Sequence, residues 1–216
     1  MVPTDCYLGS DMSVSIVTDN EGRQLVKIAR HMVESYISRK EYRIDANLTQ
    51  IKAGAFVSLF RFDNLGHLEL CGCIGFPLPN RNLNDVIRQA SIEAATRDPR
   101  FNPITATELS KVIFEVSILT NPSEILANRP DDYLNSIRIG TDGLIIHWEY
   151  GSGLLLPQVP LEYNWDVKEY LTHLCGKAGG PPDLWRLPHT RLFKFQAVVF
   201  REKEPNGDII KVSRDT

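Results

Sequence analysis

Two thiols one residue apart, Cys71 and Cys73, lie in the run Leu68 to Gly75, interleaved with Gly72 and Gly75. Alternate side chains of a strand share a face. Glu69, Cys71 and Cys73 are therefore expected together, with Leu68, Leu70 and Ile74 turned to a core. The two glycines would let a ligand or another backbone come close. Cys73 precedes a loop and a helix, a frequent setting for a nucleophile or binding group. As a small buried hydrophobe it would need no chemistry at all, and the sequence leaves both readings open. A Cys71–Cys73 disulfide is not expected, because side chains two apart on a strand run parallel and strain the bridge. Thiol titration under denaturing, non-reducing conditions should find all four thiols, Cys6, Cys71, Cys73 and Cys175. Two missing thiols would refute this.

Other polar residues stand beside loops or helix ends. In Asp98-Pro99-Arg100-Phe101, proline stiffens the loop, Phe101 can anchor it, and Asp98 and Arg100 can pair or face a cleft. Arg100 could pair with Asp98 or Glu108, or grip a carboxylate or phosphate bidentately. Lys177, before Ala178-Gly179-Gly180, fits either a helix C-cap favoured by the dipole or an anion contact. The glycine spacing there is not that of a Walker or Rossmann loop. Gln158, in the apolar segment Leu154 to Val159, can satisfy backbone groups or read an amide or base edge. His147 lies between Ile146 and Trp148 on a strand and has no catalytic partner in view. Cys71, Cys73, His173 and Cys175 include the donors of a tetrahedral zinc site. On a helix, however, His173 and Cys175 diverge by about 200°, and no metal site is assigned.

The elements that must position these groups follow from 216 residues, 43% hydrophobic and 24% charged. That length suffices for one large domain or two joined lobes. A net charge of −3 argues against non-specific nucleic-acid binding, which needs a basic stripe, and leaves a local RNA or nucleotide pocket open. No run approaches the roughly 20 apolar residues of a membrane helix. Met1 to Val14 has no secretory pattern, and few cysteines point to reduced thiols in a cytoplasmic, soluble protein.

Thr18 and Glu21 have capping-box spacing before a helix from about Glu21 to Ser38. Leu25, Ala29, Met32, Val33 and Tyr36 form its apolar face, with Arg23, Lys27, Arg30 and Glu34 elsewhere. A hairpin, Ala55–Phe62 and His67–Ile74, turns at Asp63-Asn64-Leu65-Gly66. A helix over Leu83–Thr96 and a strand over Val112–Leu119 follow. The second half repeats the order: strands Gly143–Tyr150 and Gly153–Val159 about Gly151-Ser152, a helix Trp165–Cys175 after Asn164 as cap, and a strand Leu192–Arg201. The tail from Glu202 is expected to fray. The prediction is an α+β fold of two lobes, each strand, strand, helix, strand, in largely antiparallel sheets with packed helices. One domain would span 12–205, with lobes 12–125 and 126–205.

Leu70-Cys71-Gly72-Cys73-Ile74-Gly75, Asp98-Pro99-Arg100-Phe101 with Pro103 and Glu108-Leu109, and Glu115-Val116-Ser117-Ile118-Leu119 resemble the AMMECR domain family in this order. Gly140, Asp142-Gly143-Leu144, Leu156-Pro157-Gln158-Val159, Trp165, Cys175 and Lys177-Ala178-Gly179 extend the match. The family signature is Leu-Arg-Gly-Cys-Ile-Gly, so its arginine is Cys71 here, and the usual apolar residue after Lys-Ala-Gly is Gly180. The resemblance implies a prokaryotic or archaeal-type member and a modification pathway with Memo-type or radical-SAM partners. It assigns no reaction or cofactor. Two functions are carried forward. One is a binding or catalytic component of an RNA- or small-molecule-modification pathway, acting through an inter-lobe cleft. Cys73 would be its catalytic group, and Arg100, Gln158, Lys177, Asp98, Gly72 and Gly75 its ligand-binding residues, with Cys175 nearby. The other is a non-enzymatic protein-interaction module whose signature is structural.

Overall fold

The computed structural model describes residues 17–40 and 51–212; Cys6 and the Met1 to Val14 stretch lie outside them. The described chain forms two compact units. One holds 17–40, 51–119 and 198–212, and the other holds 120–197.

In the first unit, Thr18 opens helix α1 (Asp19–Ser38) through the expected capping box. Glu21 N donates to Thr18 Oγ1 at 3.2 Å, and Thr18 N donates to Glu21 Oε2 at 2.7 Å. Leu25, Ala29 and Val33 are buried and Met32 packs beside them, whereas Tyr36 is half exposed. Arg30, expected on the polar face, is only 4% exposed. Strands β1 (Ala55–Phe62) and β2 (Leu68–Phe76) pair antiparallel. Their turn is held by Asp63 Oδ1, which accepts from Leu65 N and His67 N, both at 2.8 Å. Helix α2 (Leu83–Thr96) starts at Asn82, whose side chain accepts from Asn84 N, and buries Val86, Ile87, Ala90 and Ala94. A short helix α3 (Ala106–Leu109) leads to β3 (Ile113–Leu119), antiparallel to β1.

The second unit begins with β4 (Ser123–Glu124) and helix α4 (Asp131–Ser136). Strands β5 (Gly143–Trp148) and β6 (Gly151–Leu155) form its hairpin. The turn is Glu149-Tyr150, so Gly151-Ser152 belongs to β6 and not to a turn. Glycine is there for another reason. A Cβ on Gly151 would lie 2.6 Å from Ala178 O, and one on Gly153 would lie 2.7 Å from Ala178 N and 2.8 Å from Leu174 O. Beyond Leu155 the expected strand stops at a turn and helix α5 (Val159–Glu162). Helix α6 (Val167–Lys177) is capped by Asp166, not Asn164, with Glu169 completing the box. A 3₁₀ turn (Leu184–Arg186) and β7 (Arg191–Phe195) follow. Sheet order is β4-β7-β5-β6, over a core with Tyr170, Leu171, Leu174 and Cys175.

The single strand expected over Leu192–Arg201 is two. Gln196 interrupts it, donating from N to Thr120 Oγ1 at 2.8 Å and accepting Thr120 N at 2.8 Å. The chain then returns to the first unit as β8 (Ala197–Glu202) and β9 (Ile209–Lys211). That completes a sheet of order β2-β1-β3-β8-β9. The described tail, to 212, is therefore a paired hairpin. Arg23 donates to Ile209 O, Lys211 Nζ meets Asp19 Oδ1 at 3.0 Å, and Glu202 pairs with the buried Arg30. In each unit the hairpin's first strand lies between its second strand and the strand after the helix, β2-β1-β3 and β6-β5-β7. The fold is α+β.

Candidate functional site

The site is built on β2, the edge strand of the five-stranded sheet. Strand pairing runs Leu59↔Gly72 and then Phe60↔Leu70, so Cys71 is the extra residue of a β-bulge. A bulge shifts every later side chain to the other face. Cys71 accordingly joins the core with Val57 and Leu59, 4% exposed, and burial pushes its thiol up to about 11. Cys73 faces the other way, opposite Ser58, whose hydroxyl donates to its Sγ at 3.2 Å. The two thiols do not share a face, and Glu69, Cys71 and Cys73 are not one set.

Gly72 explains how the next group arrives. A Cβ there would lie 2.2 Å from Ala94 O, so only glycine lets the last turn of α2 settle on β2. Four residues past Ala94, Asp98 reaches the free edge of β2. Its Oδ2 accepts Cys73 N at 2.8 Å, and Arg100 Nη2 donates to Cys73 O at 3.1 Å. Arg100 also donates Nε to Asp98 Oδ1 at 3.0 Å and Nη2 to Oδ2 at 2.7 Å. The ion pair thus takes the outward N–H and C=O of an edge strand, the groups another strand would otherwise use. Arg100 and the Cys73 N–H hold the Asp98 carboxyl down at about 2, against the opposing effect of burial, and Asp98 raises the Arg100 guanidinium in return. Glu108, the other candidate partner of Arg100, is instead in the capping box of Thr105. The Arg100 side chain is 56% exposed, and its Nη1 makes no hydrogen bond among the described residues.

Cys73 is partly buried. Desolvation raises its thiol, Asp98 and Glu115 add to the rise, and Ser58 and Arg100 oppose it. Ser58 also sits opposite Glu115 on β3, which meets Arg201 at 3.5 Å. A polar row, Cys73, Ser58, Glu115, Arg201, therefore crosses four strands on the face away from the main core. Sequence reasoning missed Ser58, Glu115 and Arg201, whose proximity depends on strand pairing alone. The unit's two described histidines pair elsewhere, His31 with Glu34 and His67 with Asp63. Gly75 is a packing residue too, since a Cβ there would lie 2.3 Å from the Phe56 ring.

Gln158, Lys177 and Cys175 belong to the second unit. Gln158 O accepts from Leu161 N and Glu162 N at the start of α5, while its Oε1 is buried without a hydrogen bond. Cys175 is fully buried. Lys177 is exposed in the last turn of α6, which closes as a Schellman motif: Gly180 N donates to Cys175 O at 3.0 Å and Gly179 N to Gly176 O at 3.1 Å. Gly179, at φ 72°, takes the left-handed position. Leu184 Cδ2 lies 2.5 Å from where a Cβ of Gly180 would be. His147 packs edge-on against Phe193, its centroid 5.5 Å away; burial, then Arg191, lowers its basicity. Among the described residues no three His, Cys, Asp or Glu side chains are gathered as a metal would need, and no helix is long and apolar enough to cross a membrane.

An edge strand closed by an Asp–Arg pair, in an α+β chain, joins two of the sequence elements of the resemblance, the signature and the Asp98-Pro99-Arg100-Phe101 loop. The AMMECR1 family profile matches residues 26–200, and the chain belongs to that family. It is 45% identical to MJ0810 of Methanocaldococcus jannaschii over 198 residues, 91% of this chain and 97% of that one. TK0174 of Thermococcus kodakarensis is 42% identical over 197 residues, covering 89% of this chain and 96% of its own. The crystal structure of PH0010 from Pyrococcus horikoshii superposes with a TM-score of 0.81 at 39% identity, over 92% of this chain and 99% of that chain.

Proposed function

We propose that this chain is a non-enzymatic interaction module whose signature strand is a folding determinant and whose surface docks partner proteins. One observation carries this: the polar groups around Cys73 are already engaged in holding the fold. Its main chain is clamped by Asp98 and Arg100, burial works against its thiolate, and no imidazole among the described residues is paired to it. A nucleophilic cysteine needs the opposite environment.

The Memo-type and radical-SAM proteins implied by the family are the partners to try first. Calorimetric titration against both, from the same organism, should show binding by at least one. Cys73→Ala should keep that affinity within about twofold, since a side chain that makes no contact with the partner can be truncated without changing binding. A turnover or covalent adduct that disappears in Cys73→Ala overturns the reading. One feature favours a second reading, a binding component of an RNA- or small-molecule-modification pathway. The unused Nη1 of Arg100 could take one oxygen of a carboxylate or phosphate. An Arg100-dependent anion site would then appear in the same titrations.

A further inference from the structure

The second unit carries a ladder of three rings. Tyr163 and Trp165 stack with centroids 4.9 Å and planes 17° apart; Trp165 stacks on His173 at 3.8 Å and 8°. Asn164 makes this possible. Its φ of 53° is left-handed backbone, rare for a residue other than glycine, and it brings the side chains of its two neighbours together. Trp165 N donates to Pro160 O at 2.9 Å, and Asp166 caps α6, so both ends of the turn are fixed. Trp165 is the partly buried middle ring, packed on the core and stacked against both neighbours. Tyr163 is 63% exposed, and nearby Leu161 is also exposed. Anchoring α6 requires Trp165; it does not require a second ring held parallel in solvent.

The charges around the ladder are mostly of one sign. Glu162, Asp166 and Glu169 are exposed, and Asp166, Glu169 and His173 follow one side of α6 at helical spacing. Lys177 is one turn beyond His173 on that side, and Lys168 is about 140° round the helix. Exposed carboxylates next to the rings in sequence and along α6, of which Asp166 and Glu169 each spend one oxygen on the capping box, suit a guanidinium that stacks on an open ring. They disfavour a phosphate chain.

We propose that Tyr163, Trp165 and His173, with Glu162, Asp166 and Glu169, form a docking surface for an arginine side chain of a partner protein. The guanidinium lies on the open face of Tyr163. This rests on the interaction-module reading.

The full chain, ¹⁵N-labelled, is titrated at low salt with acetyl-Gly-Arg-Gly-Arg-Gly-amide, its lysine counterpart, and adenosine monophosphate as a base-stacking probe. The arginine peptide should shift the Trp165 indole N–H and the amides of 163–173. The lysine peptide, and the arginine peptide on Tyr163→Ala or Glu162→Gln, should each bind at least about threefold more weakly. Equal affinity for lysine, shifts confined to other surfaces, or tighter binding by the nucleotide overturns the proposal. The two readings fail separately. A partner protein that binds Tyr163→Ala as tightly as the parent chain removes the arginine platform and leaves the module. Partner proteins that never bind remove the module.

Discussion

Glu202→Ala is expected to destabilise the protein by about 3–5 kcal/mol, a large share of the roughly 5–15 kcal/mol that holds a domain folded. Glu202 accepts Arg30 Nε and Nη2, both at 2.6 Å, and Phe114 N at 2.9 Å. Arg30 donates again to Val112 O at 2.6 Å and lies 4.6 Å over the Phe114 ring. Both side chains are nearly sealed from water. Removing the carboxylate leaves a buried guanidinium with only the partly exposed Glu34, at 3.6 Å, as counter-ion, and a strand N–H without an acceptor. The exposed Arg61–Glu69 pair is the contrast, and Glu69→Ala should cost under about 1 kcal/mol. Urea unfolding of the two variants tests this. Similar small losses would contradict the buried-pin account.

Gly72→Ala is expected to cost at least about 3 kcal/mol, at the upper end for overpacking, because the obstacle is backbone. The added methyl would lie 2.2 Å from Ala94 O, and neither β2 nor α2 has a side chain to move aside. Relief requires α2 to lift, which would carry Asp98 away from the Cys73 N–H. Gly176→Ala on α6 meets nothing within 4 Å and should gain up to about 1 kcal/mol from helix propensity. Thermal unfolding separates the two. An unchanged midpoint for Gly72→Ala would mean that close helix–strand contact is not what glycine provides there.

Local signals were legible. The Thr18–Glu21 box, the Asp63 turn and the apolar spacing of α1 and α2 each depend on residues within a few positions, and they placed those elements. Long-range consequences were not. A one-residue bulge leaves no compositional mark, yet it turned Cys71 into the core and away from Cys73. Arg30 reads as solvent-facing until Glu202, 172 positions away, is known to be its partner. Gly151 reads as a turn residue because close backbone approach and turn formation call for the same residue. At the site, Asp98–Arg100 pairing was readable from spacing, but its use as a clamp on the edge of β2 required the sheet order. Ser58 and Glu115 gave no sign at all within ordinary strand runs.

The most direct test of the structural reading of the signature is the ionisation of Cys73 in the folded protein. Alkylation rate against pH, in a Cys6→Ser background so that the only thiols beside Cys73 are the buried Cys71 and Cys175, reports it. A midpoint above the ordinary thiol value of about 8.5 is predicted, since desolvation, Asp98 and Glu115 raise this group. Rapid alkylation with a midpoint at or below about 7, the behaviour of an activated thiolate, would contradict the account.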